Sequence, residues 1–232
     1  MNIQEILKQQ ATWTYDMIAG STALGEVIRE DALTSVNLTI INNMAKANNI
    51  PISITSMQGA NLEKEFGADW SWTDGSRSYL VQAKKINVAR KIDLMSYAIE
   101  IPQLLNLQAQ ADIMTKFYGR DIQPIYIFYN SLLPIDLNKI DWGCTAVQSE
   151  TLINYLEVTG QIENKLAIVR FSEIGKHMIP WYRLFETNSS IAISVAVPGQ
   201  SSTKSQAIYD NQSQSDPFPP RPSEKLSTST PW

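Results

Sequence analysis

Residues 67–84 read GADWSWTDGSRSYLVQAK, and this stretch decides the fold. Two runs with the composition of β-strands, 67–72 and 78–84, lie on either side of an Asp-Gly pair. An Asp-Gly pair between two such runs is a strong signal for a β-hairpin. We therefore predict two neighbouring antiparallel strands joined at residues 73–76.

Three polar side chains of this hairpin are expected to converge. Successive side chains of a strand point to opposite faces, so Gln82 and Lys84 share one face, and strand pairing brings that face close to Asp69. Placing these groups together costs desolvation free energy, which is usually tolerated where a metal ion or a substrate satisfies them. Mg²⁺ is held by one or two carboxylates together with water and phosphate oxygens. The sequence therefore predicts Asp69 as a metal ligand and Lys84 beside an attacking water.

The segments around the hairpin predict an α/β protein. The predicted helices cover 3–19, 24–48 (as one helix or two), 102–118 and 149–157, and the predicted strands cover 52–57, 67–72, 78–84, 124–130 and 166–171. After Lys91 we expect the chain to be helical again. The order of helix, three strands, helix and strand indicates a sandwich in which helices flank a central mixed β-sheet.

Composition narrows the class of protein. The chain has 232 residues, with 19 basic against 23 acidic side chains, one Cys and one His. Single Cys and His residues exclude an intramolecular disulfide framework and a Cys/His zinc site. We find neither an apolar run of about 20 residues nor a signal-peptide pattern, so we expect a soluble, cytoplasmic protein without membrane contact.

The composition changes at Pro198. Beyond it Ser, Gln, Thr and Pro dominate, with too little apolar surface to offset the entropy of ordering the chain. We predict one α/β domain over residues 1–197 and a disordered Ser/Pro/Gln-rich tail over 198–232.

Asp69 with Gln82-Ala83-Lys84 resembles the PD-(D/E)XK nuclease superfamily, in the Mrr-type variant that uses Gln-x-Lys. The resemblance extends to an uncharacterised bacterial domain family of this superfamily and covers roughly residues 24–145. The matching pieces are Glu30, 67–70, 82–84, 103–111, 124–130 and 142–144. This resemblance implies a restriction-endonuclease-like sandwich and an endonuclease that hydrolyses DNA with Mg²⁺ or Mn²⁺; we expect the DNA to be double-stranded. A role in restriction or anti-phage defence is what such relatives tend to have.

The resemblance also implies a set of site residues. Asp69, Gln82, Lys84 and Glu30 are the implied catalytic residues, and the carbonyl of Ala83 is a further metal ligand. Gln82 stands where the superfamily usually has a second acid. An amide adds no charge, so a second carboxylate must come from elsewhere in the chain.

Four glutamates are candidates for that second carboxylate. Glu30 is preferred, although Glu26 lies one turn away on the same predicted helix. Glu65 is a further candidate metal ligand, favoured slightly over Glu63 because it lies four residues from Asp69. The sequence leaves this choice open.

A local excess of basic residues supports contact with a phosphate backbone. Between Arg77 and Ile92 there are five basic residues and no acidic one, in a chain of net charge −4. Four of them, Arg77, Lys85, Arg90 and Lys91, are the predicted nucleic-acid-binding residues, and the fifth, Lys84, is assigned to catalysis.

Two other functions remain open at this point. One is a nucleic-acid-binding or interaction module that keeps the nuclease fold but has lost catalysis, with Gln82 as the mark of that loss. The other is an interaction subunit of a larger system, including a defence system. Double-strand cleavage needs two active sites, so the nuclease hypothesis also allows for a homodimer.

Overall fold

Helices and strands alternate along the chain in the computed structural model, which describes residues 1–58, 62–89, 91–131 and 138–186. These residues all belong to the unit Met1–Pro198. The α-helices are α1 (Ile3–Ala23), α2 (Glu30–Ala47), α3 (Leu62–Phe66), α4 (Ile101–Tyr118), α5 (Lys139–Trp142), α6 (Ser149–Val158) and α7 (Phe171–Ile174). The strands are β1 (Ser53–Ser56), β2 (Trp70–Thr73), β3 (Ser78–Lys85), β4 (Ser96–Glu100), β5 (Ile122–Tyr129), β6 (Cys144–Gln148), β7 (Leu166–Arg170) and β8 (Ile179–Pro180).

The central sheet is mixed. Its strands lie in the order β1-β2-β3-β5-β6-β8. The β3–β5 pair is parallel, with α4 in the crossover connection, and the other neighbours in this sheet pair antiparallel. A separate antiparallel pair is formed by β4 and β7. The predicted α/β class, with helices flanking a central mixed sheet, is therefore confirmed.

The predicted hairpin is also confirmed. β2 and β3 pair antiparallel, with Trp70 opposite Val81. The carboxylate of Asp74 accepts the backbone N–H groups of Ser76 and Arg77 through Oδ1, at 3.1 and 2.8 Å. Asp74 thus closes the turn with its own side chain, which is the property that makes Asp frequent at such positions.

One face of the sheet packs against α1 and α2 through aromatic side chains. Trp70 and Trp72 are fully buried there and contact each other edge-on, with ring centroids 5.4 Å apart. Trp72 also contacts Trp181 and Phe185. Full burial of each large apolar side chain contributes about 1.5–3 kcal/mol. Because side chains alternate along β2, this packing turns Asp69 towards the other face.

The helix predicted over 102–118 is confirmed as α4, but the strand that precedes it was not predicted. A short 3-10 helix at Ile92–Leu94 leads into the strand β4, and α4 begins at Ile101. In β4 the side chains of Tyr97 and Ile99 are buried, and the strand pairs with β7, about 70 residues further on. Strand β6 and the short helix α3 were not predicted. The predicted tail, 198–232, lies outside the described residues. No helix in the described ranges is long and apolar enough to cross a membrane.

Gly143 marks the closest approach between α1 and the segment that leads into β6. A Cβ atom added there would lie 2.0 Å from the carbonyl oxygen of Ala11 and 2.7 Å from that of Lys139. Both neighbours are backbone atoms, so a methyl group could be accommodated only if α1 moved.

Replacement of Gly143 by Ala should therefore destabilise the protein. We expect Gly143→Ala to lower the free energy of unfolding by about 2–4 kcal/mol, because overpacking is added to a displacement of α1. Urea denaturation measures this change. Gly20→Ala is the matched control, since an added Cβ meets nothing within 4 Å at that exposed position in α1. The control should be neutral or slightly stabilising. Equal stability of Gly143→Ala and wild type would contradict this packing.

Candidate functional site

The Asp69 carboxylate lies at the point where β2 begins and takes the place of a backbone acceptor. The N–H of Asp69 donates to the carbonyl oxygen of Val81 at 2.8 Å. The N–H of Ala83, two residues further along β3, instead donates to Oδ2 of Asp69 at 2.7 Å. Nε2 of Gln82 donates to the same oxygen, also at 2.7 Å. Asp69 is 5% exposed, so this carboxylate is fixed in a largely desolvated place.

Lys84 and Glu30 meet at the end of β3. Nζ of Lys84 lies 3.5 Å from Oε1 of Glu30, and the side chain of Lys84 is 12% exposed. The other Glu30 oxygen, Oε2, accepts the backbone N–H of Lys85 at 2.6 Å. Glu30 is the first residue of α2, so this contact joins the start of that helix to the end of β3. Both oxygens of Glu30 are therefore engaged with β3.

Asp69 and Glu30 open onto one pocket of about 490 Å³. Its walls are the first turns of α2, the residue Gln58 after β1, and α3. The lining residues are Arg29, Glu30, Asp31, Ala32, Ser35, Gln58, Glu63 and Asp69. Four of these are acids, while the one basic residue, Arg29, is paired with Asp31 at 3.0 Å. The pocket is therefore negatively charged when its carboxylates are ionised.

The surroundings of Asp69 and Glu30 disfavour their ionised forms. Burial raises the pKa of Asp69 to about 7; the Ala83 N–H opposes this shift, and the charges of Glu30 and Glu63 add to it. Burial also raises the pKa of Glu30, against the influence of Lys84 and of the Lys85 N–H. A cation in the pocket would remove this disadvantage, because it favours the ionised carboxylate.

A buried amide oxygen lies beside Asp69. Gln82 is 1% exposed, and its Nε2 donates to Asp69 and, at 3.2 Å, to the carbonyl of Ala83. Its Oε1 accepts no hydrogen bond from the described part of the chain. The hydroxyl of Tyr126, the residue paired with Gln82 on β5, is likewise buried without a partner in that part. A buried acceptor left without a donor costs about 1–3 kcal/mol, so such atoms mark places where water, an ion or a ligand binds.

The donor atoms of this site are of the type that hard cations bind. Carboxylate, amide and backbone carbonyl oxygens come from Asp69, Gln82 and Ala83, and these are ligands that Mg²⁺ and Mn²⁺ accept. Both hydrogen bonds to the Asp69 carboxylate go to Oδ2, so Oδ1 is the oxygen available to an ion. No group of three or more His, Cys, Asp or Glu in the described ranges is arranged to hold a metal. The residues therefore fit an ion that keeps several waters or substrate oxygens.

The four candidate glutamates do not all lie at the Asp69 pocket. Glu30 reaches the site, as predicted. Glu26 does not lie on the same helix, because α2 begins at Glu30, and its exposed side chain lines a separate pocket with Lys85. The structure does not support the preference for Glu65 over Glu63, because Glu65 is exposed and outside the pocket that contains Asp69, whereas Glu63 lines it.

The predicted basic patch is not one surface. Arg77 precedes β3, about 23 Å from Lys84 at 3.3 Å per residue. Its guanidinium donates to the carbonyl oxygens of Leu184 and Glu186 at 2.6 and 2.7 Å. Lys85 follows Lys84 in β3 and therefore points to the opposite face, whereas Lys91 is exposed. Arg90 lies outside the described residues. Of the predicted basic residues described here, only Lys84 contacts a residue of the Asp69 pocket through its side chain.

Sequence reasoning missed two contacts with α4 that shape the site. Glu63 lies in the unpredicted helix α3, and its Oε1 is 3.4 Å from Nε2 of Gln103. Gly67 has φ of +65°, and a Cβ atom there would lie 2.7 Å from the carbonyl oxygen of Gln103 and 2.8 Å from the N–H nitrogen of Leu107. The Gly-Ala-Asp sequence is the signal that could have revealed this contact, since Gly permits both positive φ and close backbone approach.

The fold and the site define an α/β protein with a buried carboxylate at the start of a central strand. The chain belongs to the family of unknown function DUF6615, whose model matches residues 3–231. No curated protein matches the sequence.

The raised pKa of Asp69 predicts how stability depends on pH. An ordinary Asp has a pKa of about 3.9 in the unfolded chain, whereas that of Asp69 in the folded protein is about 7. Between these two pH values Asp69 is protonated in the folded protein and ionised in the unfolded chain. The contribution of Asp69 to the free energy of unfolding is therefore largest below about pH 4 and is lost as the pH rises to about 7.

Asp69→Asn removes this titration and keeps an oxygen to accept the N–H groups of Ala83 and Gln82. In metal-free buffer we expect the variant to be more stable than wild type at pH 8, by roughly 2–4 kcal/mol, and to differ little at pH 4.5. Urea denaturation of both proteins at these two pH values, with EDTA present, measures the difference. A variant that is less stable than wild type at pH 8 would show that ionised Asp69 is not disfavoured by its surroundings.

Proposed function

We propose that this protein is a metal-dependent deoxyribonuclease that hydrolyses DNA phosphodiester bonds. The observation that carries the proposal is that Asp69 is bonded to Gln82, that Lys84 is paired with Glu30, and that Asp69 and Glu30 line one pocket. These are the residues that the resemblance to the PD-(D/E)XK superfamily singles out. The order of helix, antiparallel three-strand unit, helix and parallel strand also agrees with that resemblance. On this proposal the sheet with its helices is a restriction-endonuclease-like sandwich.

Each residue of the site has a separate task in this proposal. Asp69, with the amide oxygen of Gln82 and the carbonyl of Ala83, would hold Mg²⁺ or Mn²⁺. The bound ion supplies positive charge that neutralises phosphate oxygens and lowers the pKa of water. Gln82 and the Ala83 N–H fix the orientation of the Asp69 carboxylate through their bonds to Oδ2. Glu30 fixes the ammonium of Lys84 at the end of β3.

The chemical step is the addition of a water oxygen to phosphorus with release of the 3′- or 5′-oxygen of the neighbouring nucleotide. The water loses a proton and the leaving oxygen takes one up. Lys84 is the cation that can orient the water or stabilise the charge that develops on the phosphate oxygens. Because the pocket itself is acidic, a phosphodiester would be repelled from it without a cation. The proposal therefore requires the metal for substrate binding as well as for hydrolysis.

Cleavage of supercoiled plasmid tests the proposal. We expect the full chain to nick plasmid with Mg²⁺ or Mn²⁺ and to be inactive with EDTA. Asp69→Ala and Lys84→Ala should each lower the rate by about 100-fold or more, the usual effect of removing one group that stabilises developing charge. Lys116→Ala is the control for loss of a positive charge, because Lys116 is exposed in the last turn of α4, away from the site. Equal nicking by wild type and Asp69→Ala would contradict the proposal.

One observation favours a second function, that of a catalytically inactive nucleic-acid-binding module with the same fold. The position of Gln82 carries no charge, and the described carboxylates do not form a three-ligand metal cluster. This alternative predicts DNA binding that is sensitive to salt but unchanged by Mg²⁺ and by Asp69→Asn. Gel-shift titrations with and without Mg²⁺ distinguish it from the nuclease.

A further inference from the structure

Both oxygens of Glu30 are already engaged, which leaves the position of the second carboxylate open. Oε2 of Glu30 accepts the Lys85 N–H at 2.6 Å, and Oε1 faces Nζ of Lys84 at 3.5 Å. To bind an ion at Asp69, Glu30 would have to give up at least one of these contacts. The backbone N–H of Lys85 would then lose its acceptor, which costs free energy in a half-buried place.

Glu63 has no comparable engagement. It lines the same pocket as Asp69. Its hydrogen bond is a long one, 3.4 Å from Nε2 of Gln103. No Lys or Arg of the described residues lies within ion-pair distance of Glu63. Two carboxylates, Asp69 and Glu63, therefore share a pocket without a direct positive partner.

The backbone of α3 is held so that Glu63 stays at the pocket. Nδ2 of Asn106, on α4, donates to the carbonyl oxygens of Lys64 and Glu65 at 3.2 and 2.9 Å. Gly67, directly after α3, packs against the backbone of α4 so closely that no side chain fits there. A five-residue helix is not stable alone, so these contacts with α4 determine where α3 lies.

A buried polar atom on a side chain that is bonded to Asp69 points independently to a ligand. Gln82 is 1% exposed, and its amide nitrogen is bonded to Asp69. Its oxygen accepts nothing from the residues that the structure describes. A hydrated divalent cation held by Asp69 is a ligand that could satisfy this unpaired oxygen.

We propose that Glu63 supplies the second carboxylate of the cation site and that Glu30 is a positioning residue for Lys84. This inference rests on the proposed function, because it assigns residues within the same metal site. It also makes α3 and its contacts with α4 part of the site. Gln103 and Asn106 then become positioning residues on the helix that follows β4.

Calorimetric titration of the full chain with Mn²⁺ at pH 8, without DNA, tests the assignment. Glu63→Gln should weaken Mn²⁺ binding by about 10-fold or more, and Asp69→Asn should abolish it. Glu65→Gln is the matched control: it removes the same charge from the same helix, at an exposed position outside the pocket. The control should bind within about 2-fold of wild type. Glu30→Gln should bind within about 3-fold, because Lys84 and the Lys85 N–H engage its oxygens.

Asn106→Ala is a second variant that removes no charge. Since it releases α3 from α4, we expect it to weaken Mn²⁺ binding by about 3-fold or more while circular dichroism shows that the protein remains folded.

The outcomes separate the two proposals. Wild-type binding that is lost in Asp69→Asn but unchanged in Glu63→Gln overturns the role of Glu63 and leaves the nuclease proposal intact. Equal weakening by Glu63→Gln and Glu65→Gln shows a general charge effect and also overturns it. If wild type binds no Mn²⁺, or binds it as well as Asp69→Asn does, the metal site of the proposed function fails, and the assignment of Glu63 fails with it.

Discussion

The Asp69 carboxylate substitutes for a backbone acceptor at the start of β2, and the rest of the site depends on this substitution. One oxygen accepts hydrogen bonds from the Ala83 N–H and from the Gln82 amide. The backbone hydrogen bonds between β2 and β3 stop at this point, so the carboxylate supplies the acceptor for the Ala83 N–H. The carboxylate is consequently held in a buried place that is unfavourable to its charge. Its second oxygen stays available to a ligand. One side chain thus combines an oxygen with two structural hydrogen bonds and a second oxygen that can bind a ligand.

Packing on both faces of the sheet keeps Asp69 in this position. On one face Trp70 and Trp72 are buried against α1 and α2, so β2 cannot rotate without exposing two indole rings. On the other side Gly67 lies against the backbone of α4. Rotation or retreat of the Asp69 backbone would disrupt one of these two contacts. The free energy that burial of the aromatic core supplies therefore offsets the cost of holding a carboxylate out of water.

The part of the site that follows from local geometry could be predicted from the sequence. The hairpin has a two-residue side-chain period and an Asp-Gly turn, and these two facts bring Asp69, Gln82 and Lys84 to one face. The same alternation places Lys84 and Lys85 on opposite faces of β3. The predicted basic patch came from counting basic residues along the chain, and it did not take this alternation into account. Arg77 illustrates the same limit, because its partners Leu184 and Glu186 are more than 100 residues away.

Features that depend on distant contacts could not be predicted. Strand β4 pairs with β7, so its identity is set by a partner about 70 residues further along the chain. The helix α3 has five residues and takes its position from Asn106 on α4, which no local pattern reveals. The choice between Glu63 and Glu65 depends on that position. Glu26 is separated from Glu30 because residues 26–29 are not helical and α2 begins only at Glu30.

Anomalous scattering from crystals soaked with Mn²⁺ at pH 8 is the most direct test of the claim that the buried Asp69 carboxylate is a cation ligand. The claim predicts an anomalous peak beside Oδ1 of Asp69, on the side that faces Glu63, and the loss of that peak in Asp69→Asn crystals. Well-ordered crystals that show Mn²⁺ at other sites and no peak at Asp69 would contradict it.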